Sequence, residues 1–323
     1  MEKLLFISLG FYDYDDIIEY ELVRAGYDVT RFCPIGNFNN QVPKRAANVI
    51  TKGKYLFDLA RKREEEFLLK NKTKYDVVFI IVGRHLDPEV MAKFRRRQKD
   101  ARFICYLWDD VERVENFDKN KKFYDKILTF DRNDAEKYGY DFLPLFYTSF
   151  HRYEDEKKRY VLSMMGTFHS DRLEIWREIV ESTRVNKRKT YLYLIPMKVP
   201  QIVKTLVPNK DEWYNRKNIR TKLQNFESMA DKLKKSKTTL DVQFNSQNGL
   251  TLRTIESLAA RTKLITTNEN VKDYDFYEYG NIFVIDRDNP VVPQSFLRQE
   301  YNEVPKEIVE KYSLKNWVKE VLS

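Results

Sequence analysis

Cysteine is nearly missing from this 323-residue chain: only Cys33 and Cys105 occur. A disulfide framework therefore does not hold the fold together, and two thiols in apolar, strand-like contexts read as the buried, reduced cysteines of a cytoplasmic protein. Glycine and proline are also scarce, at 9 and 10 residues, which excludes collagen-like and low-complexity classes and leaves little room for disorder. No apolar run is long enough to cross a bilayer, and the opening run Leu4-Leu5-Phe6-Ile7 is too short for a signal peptide. The three histidines and two cysteines show no metal-ligand spacing, so no metal is expected to be required. No Gly-x-Gly-x-x-Gly follows the first predicted strand, which removes the main support for a dinucleotide-binding reading.

What is present is a length sufficient for two domains with good cores and a net charge of +9. That charge favours an anionic partner without choosing among nucleic acid, an acidic membrane surface and a pyrophosphate-bearing substrate. The basic clusters at 93–97, 119–122, 184–189 and 232–237 read first as solvated faces. The first of them is the candidate for peripheral contact with the inner face of a membrane. The basic residues are dispersed, with no interleaved exposed aromatics, so nucleic acid is not the expected partner.

Apolar strands alternate with helical periodicity along the whole chain. Strands are predicted at 4–9, 28–32, 75–82, 102–107 and 127–130, and residues 142–146 close the first half. Helices are predicted at 17–25, 49–70 and 88–97. A polar stretch, 153–159, marks a boundary, after which strands at 160–167, 190–195, 240–244, 263–267 and 281–285 alternate with helices at 172–180, 228–235 and 252–260. A terminal helix follows at 313–322. This order predicts two Rossmann-like, doubly wound α/β domains.

The densest chemistry lies between residues 239 and 268. Leu240-Asp241-Val242-Gln243-Phe244 runs into the polar turn Asn245-Ser246-Gln247-Asn248-Gly249. A helix then begins in Thr251-Leu252-Arg253-Thr254-Ile255-Glu256, and a second strand ends at Asn268. The start of such a βαβ helix attracts phosphate through unpaired N–H groups and the helix dipole. Gly249 lets the backbone come close, while Thr251, Arg253 and Thr254 add donors. Glu256 is placed to accept from a pair of sugar hydroxyls. An ordinary capped amphipathic helix with an Arg–Glu surface pair accounts for the same residues.

The run Gly249-Leu250-Thr251-Leu252-Arg253-Thr254-Ile255-Glu256-Ser257-Leu258, followed by Lys263-Leu264-Ile265-Thr266-Thr267-Asn268, resembles the C-terminal signature of bacterial surface-polysaccharide glycosyltransferases of the GT-B fold. These are capsular and lipopolysaccharide biosynthesis proteins. Gly166-Thr167 with Arg172 resembles the opening glycine loop of their donor domain. Trp108-Asp109-Asp110, Phe130-Asp131 and Leu143-Pro144-Leu145 resemble their N-terminal half.

The resemblance implies an acceptor domain at 1–152, a nucleotide-sugar domain at 153–305 and a C-terminal helix, 306–323, returning to the first domain, with the two domains facing a cleft. It implies transfer of a sugar from a nucleotide-diphosphate donor, UDP favoured, to a growing lipid-linked glycan. The donor-site residues are then Gly166, Thr167, Lys198, Gly249, Thr251, Arg253, Thr254 and Glu256, with no cofactor beyond the donor. Tyr191 and Tyr193 are candidates for stacking on the base, although alternate aromatics in a strand commonly face a core. Retaining members carry two glutamates with seven residues between them. Asn248 stands where the first would be, which favours an inverting transfer. Asp13, ahead of Asp109, is the candidate general base, and His85 shares their rim. Asp13-Tyr14-Asp15 also has the Asp-x-Asp form of a metal site, but that motif is short and common. The alternative is a non-catalytic two-domain module that uses its basic surface on nucleic acid or a protein partner.

Overall fold

A run such as Val77-Val78-Phe79-Ile80-Ile81 is apolar at every position, so a strand built from it has two faces to hide. A parallel sheet covered by helices on both sides provides for both. The computed structural model has this arrangement twice. It describes every residue except 9, 11–12, 35–53, 84–85, 198, 207–211, 223 and 245–246. Contacts divide the chain into two units, Met1–Pro144 with Leu314–Ser323, and Leu145–Ser313.

The first unit holds β1 (Lys3–Ile7), β2 (Asp28–Phe32), β3 (Val77–Ile81), β4 (Arg102–Leu107), β5 (Lys126–Thr129) and β6 (Asp141–Phe142). Their spatial order is β2-β1-β3-β4-β5-β6, and each pairing is parallel, with Leu4 opposite Val77 and Ile80 opposite Cys105. The helix Pro88–Arg97 starts where the Asp87 side chain accepts from the N–H groups of Glu89 and Val90, an ordinary N-cap. Val90, Met91 and Phe94 of that helix pack with Leu5, Val78, Ile80 and Phe103. The terminal helix Leu314–Leu322 belongs to this unit because Trp317 needs a core. Its ring packs edge-on to Tyr106 at 4.7 Å and to Phe79 at 6.0 Å, and Lys126 Nζ donates to Glu320 O at 2.7 Å.

The second unit holds β7 (Tyr160–Phe168), β8 (Thr190–Pro196), β9 (Ser236–Asp241), β10 (Lys263–Thr266) and β11 (Ile282–Val284) in the order β11-β10-β9-β7-β8, again all parallel. Trp176, on the helix Arg172–Thr183, is fully buried with Leu162, Met164, Leu194, Leu240 and Ile265 around it. In each sheet the first strand has its successor on one side and the later strands on the other. That creates a switch point between β1 and β3, and a second between β7 and β9. Open α/β sheets bind ligands at the carboxyl ends of strands at such points.

Three expectations are corrected. The strand expected at 240–244 is β9, at Ser236–Asp241. Alternation drew the reading forward, whereas Ser236, Thr238 and Thr239 are buried. For two of them burial is tolerated because the Ser236 hydroxyl donates to Lys232 O and the Thr239 hydroxyl to Ser163 O, whereas the Thr238 hydroxyl is buried without a partner. Residues 153–159, expected as the boundary, lie inside the second unit. They close the C-terminal end of the helix Leu252–Ala259: Tyr153 N–H donates to Ala259 O, and Lys158 Nζ donates to Ala260 O and Arg261 O. A cation on exposed helix carbonyls is a capping device, so the charge there marks a docked segment rather than a solvated one. Lastly, of the two thiols expected to be buried, Cys105 is buried but Cys33 only half-buried, and neither is in a disulfide. Burial pushes the Cys105 thiol far above its usual range. Of the helix expected at 49–70, Lys54–Lys70 is helical and the rest falls outside the described residues. Among the described residues no helix is long and apolar enough to cross a membrane.

Candidate functional site

The switch point of the second sheet is bridged by one side chain. Arg172, at the start of its helix and only 8% exposed, donates from Nε to Val242 O at 2.8 Å, just past the end of β9. Its Nη1 donates to Thr167 O at 2.9 Å, near the end of β7. Gly166 makes room for it: a Cβ at that position would lie 2.5 Å from Nη1. The sequence singled out Gly166 as a phosphate-facing glycine, and the structure shows what its bare backbone accommodates, a buried guanidinium. Gly166→Ala is therefore expected to displace Arg172 and to lower stability by about 1–3 kcal/mol. Urea unfolding of the two proteins measures this, and equal midpoints would refute it.

Arg172 Nη2 also approaches Asp241 Oδ1 at 3.9 Å, and Asp241 Oδ2 accepts the Thr251 hydroxyl at 2.5 Å. Thr251 occupies the N-cap position of the helix Leu252–Ala259 in extended conformation, yet the helix has no side-chain cap. The hydroxyl that would cap it is turned to Asp241. The first-turn N–H groups are thus left without a side-chain acceptor, the condition under which a helix start takes an anion. The preceding loop is tied down: Asn268 Nδ2 donates to Asn248 O and Gly249 O, and Asn270 Nδ2 to Asn248 O.

Arg253 lies in the first turn, and its Nη1 is 2.9 Å from Glu256 Oε2. That approach is an ion pair out of line with the N–H direction, because Nε and Nη1 are both buried without a hydrogen-bond acceptor. A buried guanidinium with unmet donors is costly and points to a missing acceptor. Glu256 is 3% exposed, and its Oε1 lies 3.4 Å from His151 Nε2. Further along the same edge, Arg287 makes a two-bond pair with Asp171 at 2.7 and 2.8 Å and also donates to Gln243 O. That pair holds the Asp171 carboxyl below its ordinary range. His169 stacks on Phe244 at 3.6 Å between ring centroids. Burial, with Arg172 and Arg287 adding to it, lowers its pKa to about 4, so the ring is neutral near pH 7.

The structure thus gathers Gly166, Thr167, Gly249, Thr251, Arg253 and Glu256 at one edge of the second unit. Thr254, also expected as a donor to ligand, is 1% exposed in the first turn of the helix Leu252–Ala259. Tyr193 is a core residue, 1% exposed, with its hydroxyl bonded to Lys222 O, and Tyr191 pairs with Gln224. Neither is placed for base stacking. Lys198 and His85 lie outside the described residues. Asp241, His151 and the Asp171–Arg287 pair were not singled out from the sequence. Asp241 ends β9 and Arg287 follows β11, and both could have been found by listing polar residues at strand ends. His151 carries no local signal.

In the first unit Asp13 is exposed at the start of the helix Tyr14–Arg24, and its side chain makes no cap bond. The buried acid of that loop is Asp15, 7% exposed, which accepts from Gly10 N–H at 3.0 Å. Asp109 is half-buried after β4. Beside it Asp110 is the perturbed carboxyl. Burial raises its pKa to about 6, and the neighbouring Asp131, Asp134 and Asp109 add to the rise while Arg113 opposes it.

No described protein family matches the chain, and no curated protein does. Solved structures do. HepE of Anabaena, crystallised with UDP and glucose, superposes with a TM-score of 0.58 at 8% identity, over 100% of this chain and 98% of that one. An α-glucosyltransferase held with UDP and a 13-mer DNA gives 0.56 at 11% identity, over 100% and 95%. A protein of Listeria monocytogenes described as a UDP-N-acetylglucosamine 2-epimerase gives 0.51 at 12% identity, over 99% and 94%. The chain has the two-domain α/β fold shared by these GT-B proteins.

Proposed function

We propose that this protein is a glycosyltransferase that takes a sugar from a nucleoside-diphosphate donor, UDP favoured. The observation that carries the reading is the uncapped start of the helix Leu252–Ala259, where Arg253 has buried donors without acceptors beside a buried Glu256. A diphosphate supplies acceptors for Arg253 and for the first-turn N–H groups, and a ribose supplies donors for Glu256. Neighbours of the same fold were crystallised with UDP, which supports the choice of nucleotide.

In the proposed reaction an acceptor hydroxyl oxygen attacks the anomeric carbon, the bond from that carbon to the diphosphate breaks, and a carboxylate takes the hydroxyl proton. Arg253 and the helix start stabilise the negative charge that gathers on the leaving diphosphate, so no resident metal is invoked. Inversion at the anomeric carbon follows from a single displacement, and Asn248 in place of a second glutamate supports it. The base is assigned to the C-terminal edge of the first sheet, where Asp13 and Asp109 are joined by Asp110, whose pKa near 6 suits a base working near neutrality. We assign the acceptor to a growing lipid-linked surface glycan. Of the basic run 93–97, Arg95 and Arg97 bond inward to Ala101 O, Asp125 and Leu69 O, which leaves Lys93 and Arg96 for an anionic membrane surface.

Incubation with UDP-sugars and a hydroxyl acceptor, followed by product analysis, tests the reading. UDP release coupled to acceptor glycosylation is expected. Asp110→Asn is expected to lower kcat about 100-fold or more with donor affinity intact, and a larger loss in Asp13→Asn or Asp109→Asn would move the base there. A donor sugar epimerised with no transfer would overturn the transferase reading in favour of the epimerase chemistry named for the Listeria neighbour.

A further inference from the structure

Glu256 is held by a residue from a distant part of the chain. His151 closes the turn Ser149–His151 and is 2% exposed. Its Nε2 faces Glu256 Oε1 at 3.4 Å, its Nδ1 lies 3.2 Å from the Thr148 hydroxyl, and the Phe226 ring packs edge-on at 5.0 Å. Thr148 is itself 1% exposed. A carboxylate only accepts, so the proton belongs on Nε2, and Nδ1 then accepts from Thr148. The groups facing the ring are Glu256 and Arg253 from one helix and Lys234 from another. Burial, with the two cations adding to it and Glu256 opposing, lowers the His151 pKa to about 4. The imidazole is therefore a neutral donor across the working pH range. It fixes one carboxylate oxygen without introducing a second cation to compete with Arg253.

Resting on the nucleotide-donor reading of the site, we propose that His151 is a positioning residue that makes the site specific for ribose. By holding Oε1, it turns the remaining lone pairs of Glu256 toward the hydroxyl pair of a ribonucleoside diphosphate. A carboxylate freed from that contact turns more completely onto Arg253 and no longer distinguishes ribose from deoxyribose. A site built to bond a hydroxyl discriminates strongly against the analogue lacking it, and the positioning decides whether the site is so built.

Calorimetric titration of UDP and dUDP into wild-type, His151→Phe and His151→Gln proteins tests this. Wild type is expected to prefer UDP by about tenfold or more. His151→Phe keeps the ring and loses the donor. Its preference is expected to fall to within about twofold of unity, with dUDP affinity within about twofold of wild type. His151→Gln, whose amide N–H reaches the carboxylate, is expected to restore the preference. Should His151→Phe not fold, His151→Asn replaces it, since its shorter amide retains Thr148 but not Glu256, and the same loss is expected. A folded Phe or Asn variant that keeps the wild-type preference overturns the assignment, as does equal weakening of UDP and dUDP, which would mark a merely structural role. Wild-type protein that binds neither nucleotide overturns the donor-site reading itself, and the assignment with it.

Discussion

Arg253→Ala is expected to weaken UDP binding by about tenfold or more, because it removes charge-assisted hydrogen bonds worth about 1.5–3 kcal/mol from the point where the proposed diphosphate meets the helix. In the unliganded protein Nε and Nη1 are buried without a hydrogen-bond acceptor, yet the guanidinium is also the ion-pair partner of the buried Glu256. Its removal leaves that carboxylate buried without its cation, so a lower midpoint of thermal unfolding is expected together with the loss of binding. Arg253→Lys keeps the charge but not the planar fork, so most of the affinity is expected to be lost there too. Calorimetry with UDP and a melting curve on the same preparations give both quantities. Unchanged affinity in Arg253→Ala would remove the guanidinium from the donor site.

The second large effect is on stability. Glu64, on the helix Lys54–Lys70, is 3% exposed, and its Oε2 has no hydrogen-bond partner. Burial raises its pKa well above the ordinary glutamate range. A carboxyl whose folded pKa is raised holds its proton in the folded chain after the unfolded chain has released it. Stability is unaffected below the unfolded pKa of about 4.3 and falls as pH rises toward the folded value, by about 1.4 kcal/mol per pH unit. Glu64→Gln is expected to abolish that fall. Any constant offset from the amide's own burial shows at pH 4.5, while the pH-dependent part shows as a wild-type slope that the variant lacks. Urea unfolding from pH 4.5 to 8 measures both, and parallel curves would refute the assignment. The acid also faces Tyr124, and burial raises the Tyr124 hydroxyl pKa well above its ordinary range. The pair is thus a neutral polar island in a hydrophobic layer.

The fold was legible because its strands are apolar on both faces. Runs such as Val77–Ile81 admit few alternatives, and the helices between them show clear caps at Asp87 and Asp131. Local periodicity failed at β9, where the buried hydroxyls of Ser236 and Thr239, bonded to backbone, stand in for apolar side chains. It failed again at 153–159, where charge that resembles solvation caps a helix end. The start of the helix Leu252–Ala259 was legible as a candidate anion site because its features are local, consecutive backbone groups and one arginine. His151 was not, since its contact with Glu256 exists only after the sheet has formed. Asp110 was passed over for Asp13 and Asp109 because its perturbation comes from burial and from Asp131 and Asp134, the N-cap and first turn of the later helix Arg132–Tyr138. Gly166 was found for one reason and is accounted for by another, the volume of Arg172.

The central claim is that the edge of the second sheet binds a nucleoside diphosphate through Arg253 and Glu256. Titration of UDP into wild-type and Glu256→Ala proteins at two salt concentrations tests it most directly. Saturable one-site binding by the wild type, lost in the variant and only modestly weakened by salt, is the expected result. No binding of UDP, together with steeply salt-dependent binding of DNA or RNA, would contradict the account and favour a module that uses its basic surface instead.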